Sequence, residues 1–325
     1  MKRFNFFQRQ TQPAPVTVRA PEQDPFIPSV IMDNATRAKM TVNCRDCDSI
    51  PKVANAGEVV DVDGKSVQIM HNGVRVVAGG YYGEWMTDII TQLQGHHEPQ
   101  EEVVFHEILK HVSPQATMLE LGGFWSYYSL WFKSQHSDLR KSYVVEPDPN
   151  HIEIGLANAA LNGRDITFVQ GCMGSESIAA VPFKTETSGE LHIPQLSVPG
   201  FLNDYDIKQL DLLHCDTQGA ETGIVRSCEK LFRDRIIQFG IFSTHSHHIS
   251  SDPLTHQRCL AMLQDFGGRI LTEHDVHESF SGDGLIAAYF GVGPLDWAEP
   301  AISRNRYSTS LFRNPLYDLA SLTQS

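Results

Sequence analysis

Seven short apolar runs, separated mostly by segments of helical spacing, constrain this chain more than any other feature. They lie at 118–121, 143–146, 167–170, 212–215, 236–242, 269–272 and 285–290. Helical patterns at 150–162, 219–232 and 254–265 fall between them, and another at 99–112 leads into the first. Strand and helix in alternation imply a mainly parallel sheet covered on both faces. The link at 279–284 is a tight Gly/Ser/Asp connection with no room for a crossover helix. The last strand is therefore expected to run antiparallel.

The first run opens the stretch TMLELGGFWSYYSLWF at 117–132. It reads as a buried strand, a tight turn at Gly122 and Gly123, and a helix. Such a turn takes glycine because backbone must come close to something, and that something is expected to be a bound cofactor. In open α/β sheets ligands gather at the carboxyl ends of the strands, where strand order reverses. Every strand end here is polar. Glu120 stands just before the glycines, and Glu146 follows 26 residues later, where an acid can accept hydrogen bonds from both ribose hydroxyls of an adenosine. Gln170, Gly171, Cys172 and Met173 suit the wall of an adenine slot. The fourth strand ends on His214, Cys215, Asp216, Thr217 and Gln218, and the fifth on Ser243, Thr244, His245, Ser246, His247 and His248. The G-x-G-x-x-G spacing of a dinucleotide site is absent. An acid before the glycines repels phosphate but suits an ammonium and a sulfonium, both of which S-adenosylmethionine carries. The plainer role for Glu120 is to cap the next helix.

A hydrophobic content of 41% in 325 residues fills a sizeable core. The formal net charge of −13 argues against nucleic acid or an anionic membrane as the main partner. No apolar run approaches the roughly 20 residues that span a bilayer. Six cysteines, mostly in core-like segments, suggest reduced thiols and a cytoplasmic setting. Residues 1–40 read as a flexible leader. Cys44 and Cys47 form a lone C-x-x-C, better explained by a turn than by zinc, which wants four ligands. Residues 41–98 read as an accessory β-hairpin region, with hairpin signals at Asp63-Gly64 and Asn72-Gly73. The catalytic domain is expected over 99–292, with an aperiodic tail over 293–325 packed on the surface or on a partner.

Together these residues resemble the FkbM-type S-adenosylmethionine-dependent methyltransferases. The resemblance is carried by HEPQEEVVF at 97–105, MLELGGFWSYYSLWF at 118–132, VVEPDPN at 144–150, LLHCDTQGAE at 212–221, STHSHHISSDPLTHQRCL at 243–260 and ESFSGDGLIAA at 278–288. It implies a class I, Rossmann-like methyltransferase fold of seven strands with an antiparallel last strand. It also implies methyl transfer to a hydroxyl of a sugar, glycolipid precursor or secondary metabolite. By position, Glu120, Gly122 and Glu146 resemble cofactor-binding residues, and Asp216 the fourth-strand acid facing the methyl group. Ser126 stands where the family usually has a third glycine, and His214 and Gln218 where it usually has Lys and Glu.

The histidines leave two chemistries open. One of His245, His247 and His248, with His245 nearest its strand end, can act as the base for the acceptor hydroxyl. Alternatively the three, with Asp216 or Asp283, can bind a divalent metal, as in a metal-dependent hydrolase. The expected site is thus Glu120, Gly122, Gly123, Glu146, Cys172 and Asp216 for cofactor and Asp216, His245, His247 and His248 for chemistry, with no residue assigned to a metal. A non-catalytic module that only binds the adenosyl cofactor is the third reading. The acceptor is expected to be a small molecule or carbohydrate, and an oligomer is possible.

Overall fold

A computed structural model describes residues 33–136, 139–306 and 309–312. The expected leader therefore lies mostly outside the described residues, but its end does not. Helix α1 (Asn34–Asn43) is capped by Asp33, whose carboxylate accepts from the Thr36 amide. Arg37 from α1 reaches the carbonyl of Ser281, and Thr41 that of Phe280. The leader expected over 1–40 thus gives way to packed helix at 34.

The accessory region forms β1 (Val59–Val62), β2 (Lys65–Ile69) and β3 (Arg75–Val77), followed by α2 (Glu84–Gln92). The three strands make an antiparallel sheet. Asp63 and Gly64 both take positive φ at the first turn, as an Asp-Gly hairpin requires. The region has no core of its own. Met70, Val76, Ile89 and Leu93 share one apolar cluster with Phe105, Trp131 and Phe132 of the main domain. A buried polar knot ties it further: Glu102 accepts from the amides of His97 and Glu98 and pairs with the rings of His96 and His97. His71 Nδ1 lies 2.8 Å from the Tyr127 hydroxyl.

The main domain follows as α3 (Pro99–Leu109), β4 (Thr117–Leu121), α4 (Tyr127–Gln135), β5 (Lys141–Glu146), α5 (Pro149–Leu161) and β6 (Thr167–Gln170). A small sheet comes next: β7 (Cys172–Met173), β8 (Ile178–Lys184) and β9 (Glu190–Leu196), then α6 (Val198–Asp204). The stretch 183–205, which carries no repeating pattern, is thus mostly strand and helix. The chain returns as β10 (Leu210–Cys215), α7 (Glu221–Ser227), α8 (Glu229–Arg233), β11 (Ile237–Thr244), α9 (His247–Ser250), α10 (Thr255–Asp265), β12 (Arg269–His274) and β13 (Gly284–Tyr289). The single helix expected over 219–232 breaks at Cys228, which serves as C-cap of α7 and N-cap of α8. The 99–112 helix ends at Leu109.

All seven expected strands join one sheet in the order β12-β13-β11-β10-β4-β5-β6, with β13 antiparallel to both neighbours. This is the class I, Rossmann-like methyltransferase arrangement. Strand order reverses between β4 and β10, because the chain winds outward one way through β5 and β6 and then the other way through β11. The tail docks by hydrogen bonds: Ser303 meets Asp46 and accepts from Gln100, and Asn305 donates its amide to the Glu278 carbonyl. No described helix is long and apolar enough to cross a membrane.

Candidate active site

A cavity of about 510 Å³ opens at the carboxyl ends of β4, β5 and β10, across the point where strand order reverses. Its size suits a drug-sized ligand. Gly122 and Gly123 border it. Gly122 sits at φ +74°, and a Cβ there would lie 1.7 Å from the carbonyl oxygen of Asp216. Its glycine is therefore demanded by the backbone of the neighbouring strand end. A Cβ on Gly123 would meet a Val144 methyl at 2.4 Å. These two close approaches set the turn after β4 against the end of β10 on one side and against β5 on the other.

Glu120 and Glu146 both border this cavity and are both buried. Glu120 Oε2 accepts from the Ser129 amide in the first turn of α4, so it caps that helix as well. Burial pushes its carboxyl up to about 7; His214 and the Ser129 hydrogen bonds pull it down, and Asp216 pushes it up. Glu146 is fixed at both oxygens: Oε2 accepts from the Phe124 amide and Oε1 from the Asp148 amide, each at 3.0 Å. His151 stands 3.3 Å from Oε1 and stacks on Phe124. Asp148 pins the β8–β9 turn over this end, accepting from Thr187 and Ser188. Burial works against the Asp148 charge, but those hydrogen bonds outweigh it and hold the carboxyl well below its ordinary range. Cys172 borders the cavity beside Gly171 and Met173, its thiol toward the Pro194 carbonyl.

Ser126 does not reach the cavity. It adopts the left-handed conformation at φ 62° that glycine fills more easily, and its hydroxyl is buried without a hydrogen-bond partner. Gly155 makes room for that hydroxyl, since a Cβ there would lie 2.8 Å from it. Ser126→Gly is therefore expected to raise stability by about 1 kcal/mol, relief of strain and of an unsatisfied hydroxyl outweighing chain entropy. A rise in the urea midpoint checks this.

Asp216 borders the cavity at the end of β10, as expected. His245 follows β11 and is wholly buried. Its Nδ1 lies 2.9 Å from Glu221 Oε1, and Glu221 also accepts from the Gly219 amide and the Thr217 hydroxyl. Its Nε2 lies 3.2 Å from Asp216 Oδ1 and 3.4 Å from Asp283 Oδ1. The imidazole thus stands behind two carboxylates rather than in the cavity wall. His247 and His248 start helix α9, half-buried and exposed, with their rings 4.8 Å apart. Among the described residues, His247 and His248 do not join His245 in a potential metal-binding group.

Several further residues at or near the wall were given no role from the sequence. Glu98 borders the cavity, accepts from the Tyr128 hydroxyl at 3.0 Å, and is held by burial well above the ordinary carboxylate range. His214 sits where the family's Lys is expected; its Nε2 is 2.7 Å from Glu101, which also accepts from Ser243. Tyr81, Tyr82 and Trp85 of the accessory region complete an aromatic wall with Phe124 and Trp125. Tyr81 stacks on Trp125 with ring centres 4.6 Å apart. A helical or strand pattern cannot reveal such residues, because the wall is made where two regions meet.

The model of the methyltransferase FkbM domain matches residues 107–270, half of the chain. The chain belongs to the FkbM methyltransferase family. No curated protein matches this FkbM-family chain. Among solved structures, methyltransferase FkbM from Methylobacillus flagellatus is similar over 54% of this chain and 44% of its own, at 16% identity and a TM-score of 0.40. The chain thus spans less than half the length of that protein. TrmK of M. capricolum, solved with S-adenosyl-homocysteine, is similar over 57% and 67%, at 11% identity and a TM-score of 0.37. Precorrin-6y C5,15-methyltransferase from Geobacter metallireducens is similar over 58% and 87%, at 13% and 0.37.

The FkbM-family domain takes S-adenosyl-L-methionine as cofactor, and the lining chemistry fits that cation. Seven carboxylates border the cavity: Glu98, Glu120, Glu146, Asp148, Glu186, Asp216 and Asp283. Arg37 and Lys184 are the two Lys or Arg side chains among the described lining residues. Arg37 is already engaged with Ser281.

Proposed function

We propose that this methyltransferase domain acts on oxygen, alkylating a hydroxyl of a small acceptor such as a sugar, glycolipid precursor or secondary metabolite. The observation that carries this reading is one cavity holding three things: the Glu120–Glu146 edge, the Asp216–Asp283 pair and an aromatic wall. S-adenosylmethionine supplies an electrophilic methyl carbon on a sulfonium. Glu146 would take the ribose hydroxyls, and its two backbone donors set its position before the cofactor arrives. The Gly122–Gly123 turn and Glu120 would take the methionine part, and Cys172 the adenine side. Flat ring faces at Tyr81, Tyr82 and Trp85 suit the carbon face of a hydroxylated ring.

Little covalent work then remains for the protein beyond alignment. Asp216 or Asp283, on the cavity wall, would take the proton that the acceptor hydroxyl gives up. His245, held by Glu221, would position these two carboxylates. Six free, buried cysteines support a reducing, cytoplasmic setting. The test is incubation with methyl-labelled S-adenosylmethionine and host extract. Label in a methyl ether stable to mild base supports the reading. Label in an ester, amine or carbon-bound methyl, or in nothing, contradicts it.

A pH dependence follows from Glu120. Its carboxyl in the free protein titrates near 7, and a cationic cofactor binds best when it is ionised. Affinity for S-adenosylmethionine is therefore expected to rise about tenfold from pH 6 to pH 8. The same raised value makes this group's contribution to folding fall as pH climbs from its ordinary 4.5 through 7. Glu120→Gln should flatten both curves, in titration calorimetry and in the pH profile of the urea midpoint.

A further inference from the structure

We propose that Asp216, His245 and Asp283 bind a divalent cation at the cavity wall. The three come from neighbouring strands of the sheet, in the order β10, β11 and β13. Asp216 follows β10, His245 follows β11, and Asp283 immediately precedes β13. Because β13 is antiparallel, its beginning lies beside the ends of the other two. Topology alone thus gathers residues that are far apart in sequence.

Their geometry is that of a ligand set. One ligand atom from each residue lies within 4.8 Å of the other two. His245 Nε2 stands 3.2 Å from Asp216 Oδ1 and 3.4 Å from Asp283 Oδ1. Adjacent ligands of a six-coordinate ion with bonds of about 2.1 Å stand about 3 Å apart, so a small inward shift closes the set. His245 is wholly buried; its Nε2 faces the two carboxylate oxygens at ion-pair distance, but the alignment makes no hydrogen bond for Nε2 or for Asp216 Oδ1. Buried polar atoms are seldom left so. The other ring nitrogen is held by Glu221, which is itself held by Gly219 and Thr217. A carboxylate behind the imidazole is the arrangement that aims a histidine at a metal. The second buried trio among the described residues, His71, His96 and Glu102, differs. There Glu102 is already taken up by His96, His97 and two backbone amides.

Two carboxylates and one imidazole suit Mn²⁺ or Mg²⁺ more than a thiophilic ion. Asp216 and Asp283 border the cavity, so the ion is reached from the acceptor side. Its open positions would take an acceptor with two adjacent oxygens, a vicinal diol or a hydroxy-carbonyl group. A cation also lowers the pKa of a hydroxyl it holds, so the acceptor proton is lost readily even with Asp216 and Asp283 engaged as ligands. The use of the ion in catalysis rests on the methyl-transfer reading above, whereas the binding does not.

The experiment is titration calorimetry of chelator-treated protein with Mn²⁺, beside a separate titration with S-adenosylmethionine. Wild type is expected to bind one Mn²⁺. Asp283→Asn should lose that binding, and Glu221→Gln should weaken it by about tenfold or more. Both variants should keep the wild-type melting temperature within a few degrees. Absence of Mn²⁺ heat in wild type overturns the proposal. So does unchanged binding in a folded Asp283→Asn, which would place the ion at His71, His96 and Glu102. S-adenosylmethionine binding reports separately on the cofactor reading: Mn²⁺ bound without cofactor sinks that reading alone, and cofactor bound without Mn²⁺ sinks this one alone.

Discussion

Glu146→Ala is expected to weaken S-adenosylmethionine binding by about 100-fold. The proposed contact is two ribose hydroxyls donating to one ionised carboxylate. Hydrogen bonds to a charged partner contribute about 1.5–3 kcal/mol each, so losing the pair amounts to roughly 3 kcal/mol, or two orders of magnitude in Kd. The substitution also strips the acceptors from the Phe124 and Asp148 amides, so the turns after β4 and β5 loosen with it. Glu146→Gln keeps one acceptor and the shape, and should lose only about tenfold. Titration calorimetry separates the two. An affinity within about twofold of wild type for the alanine variant would mean the ribose is held elsewhere.

The other large effect is on folding. Gly122→Ala is expected to destabilise the protein by about 3 kcal/mol or more. The added methyl would sit 1.7 Å from the Asp216 carbonyl oxygen, and backbone from two central strands cannot move aside cheaply. The left-handed φ of +74° adds its own strain. Gly64→Ala is the informative control. It also has positive φ, but nothing lies within 4 Å of its Cβ, so it should lose only about 1 kcal/mol. Urea denaturation of the pair measures the difference. Equal midpoints would show that β4 and β10 do not touch as described.

The fold was legible because its signals are periodic. Runs buried on both faces, such as Met118 and Leu119 or Leu212 and Leu213, stand out between the helical segments. The Asp63-Gly64 hairpin was equally plain, since few residue pairs fit two positive φ angles. Break points were harder. Nothing in the helical pattern of 219–232 announces the stop at Cys228. The site was legible where chemistry sits at a strand end: Glu120, Glu146, Cys172 and Asp216 all border the cavity. Some reasons for a residue lie across the fold, where no sequence pattern reaches. Gly122 answers to the Asp216 carbonyl, 94 residues away in sequence. His245 meets Asp216 and Asp283, which the metal reading names beside it, and also Glu221, 24 residues earlier in the chain. Tyr81 comes from a stretch with no motif, brought in by a shared core.

The most direct test of the central claim is titration of the wild-type protein with S-adenosylmethionine and, separately, with ATP. Both carry adenosine, but one presents a sulfonium and an ammonium and the other a triphosphate. A cavity bordered by seven carboxylates should bind the first in the micromolar range and give no measurable heat with the second. Comparable binding of both, or binding of ATP alone, would contradict an acidic methyl-donor site at this edge of the sheet.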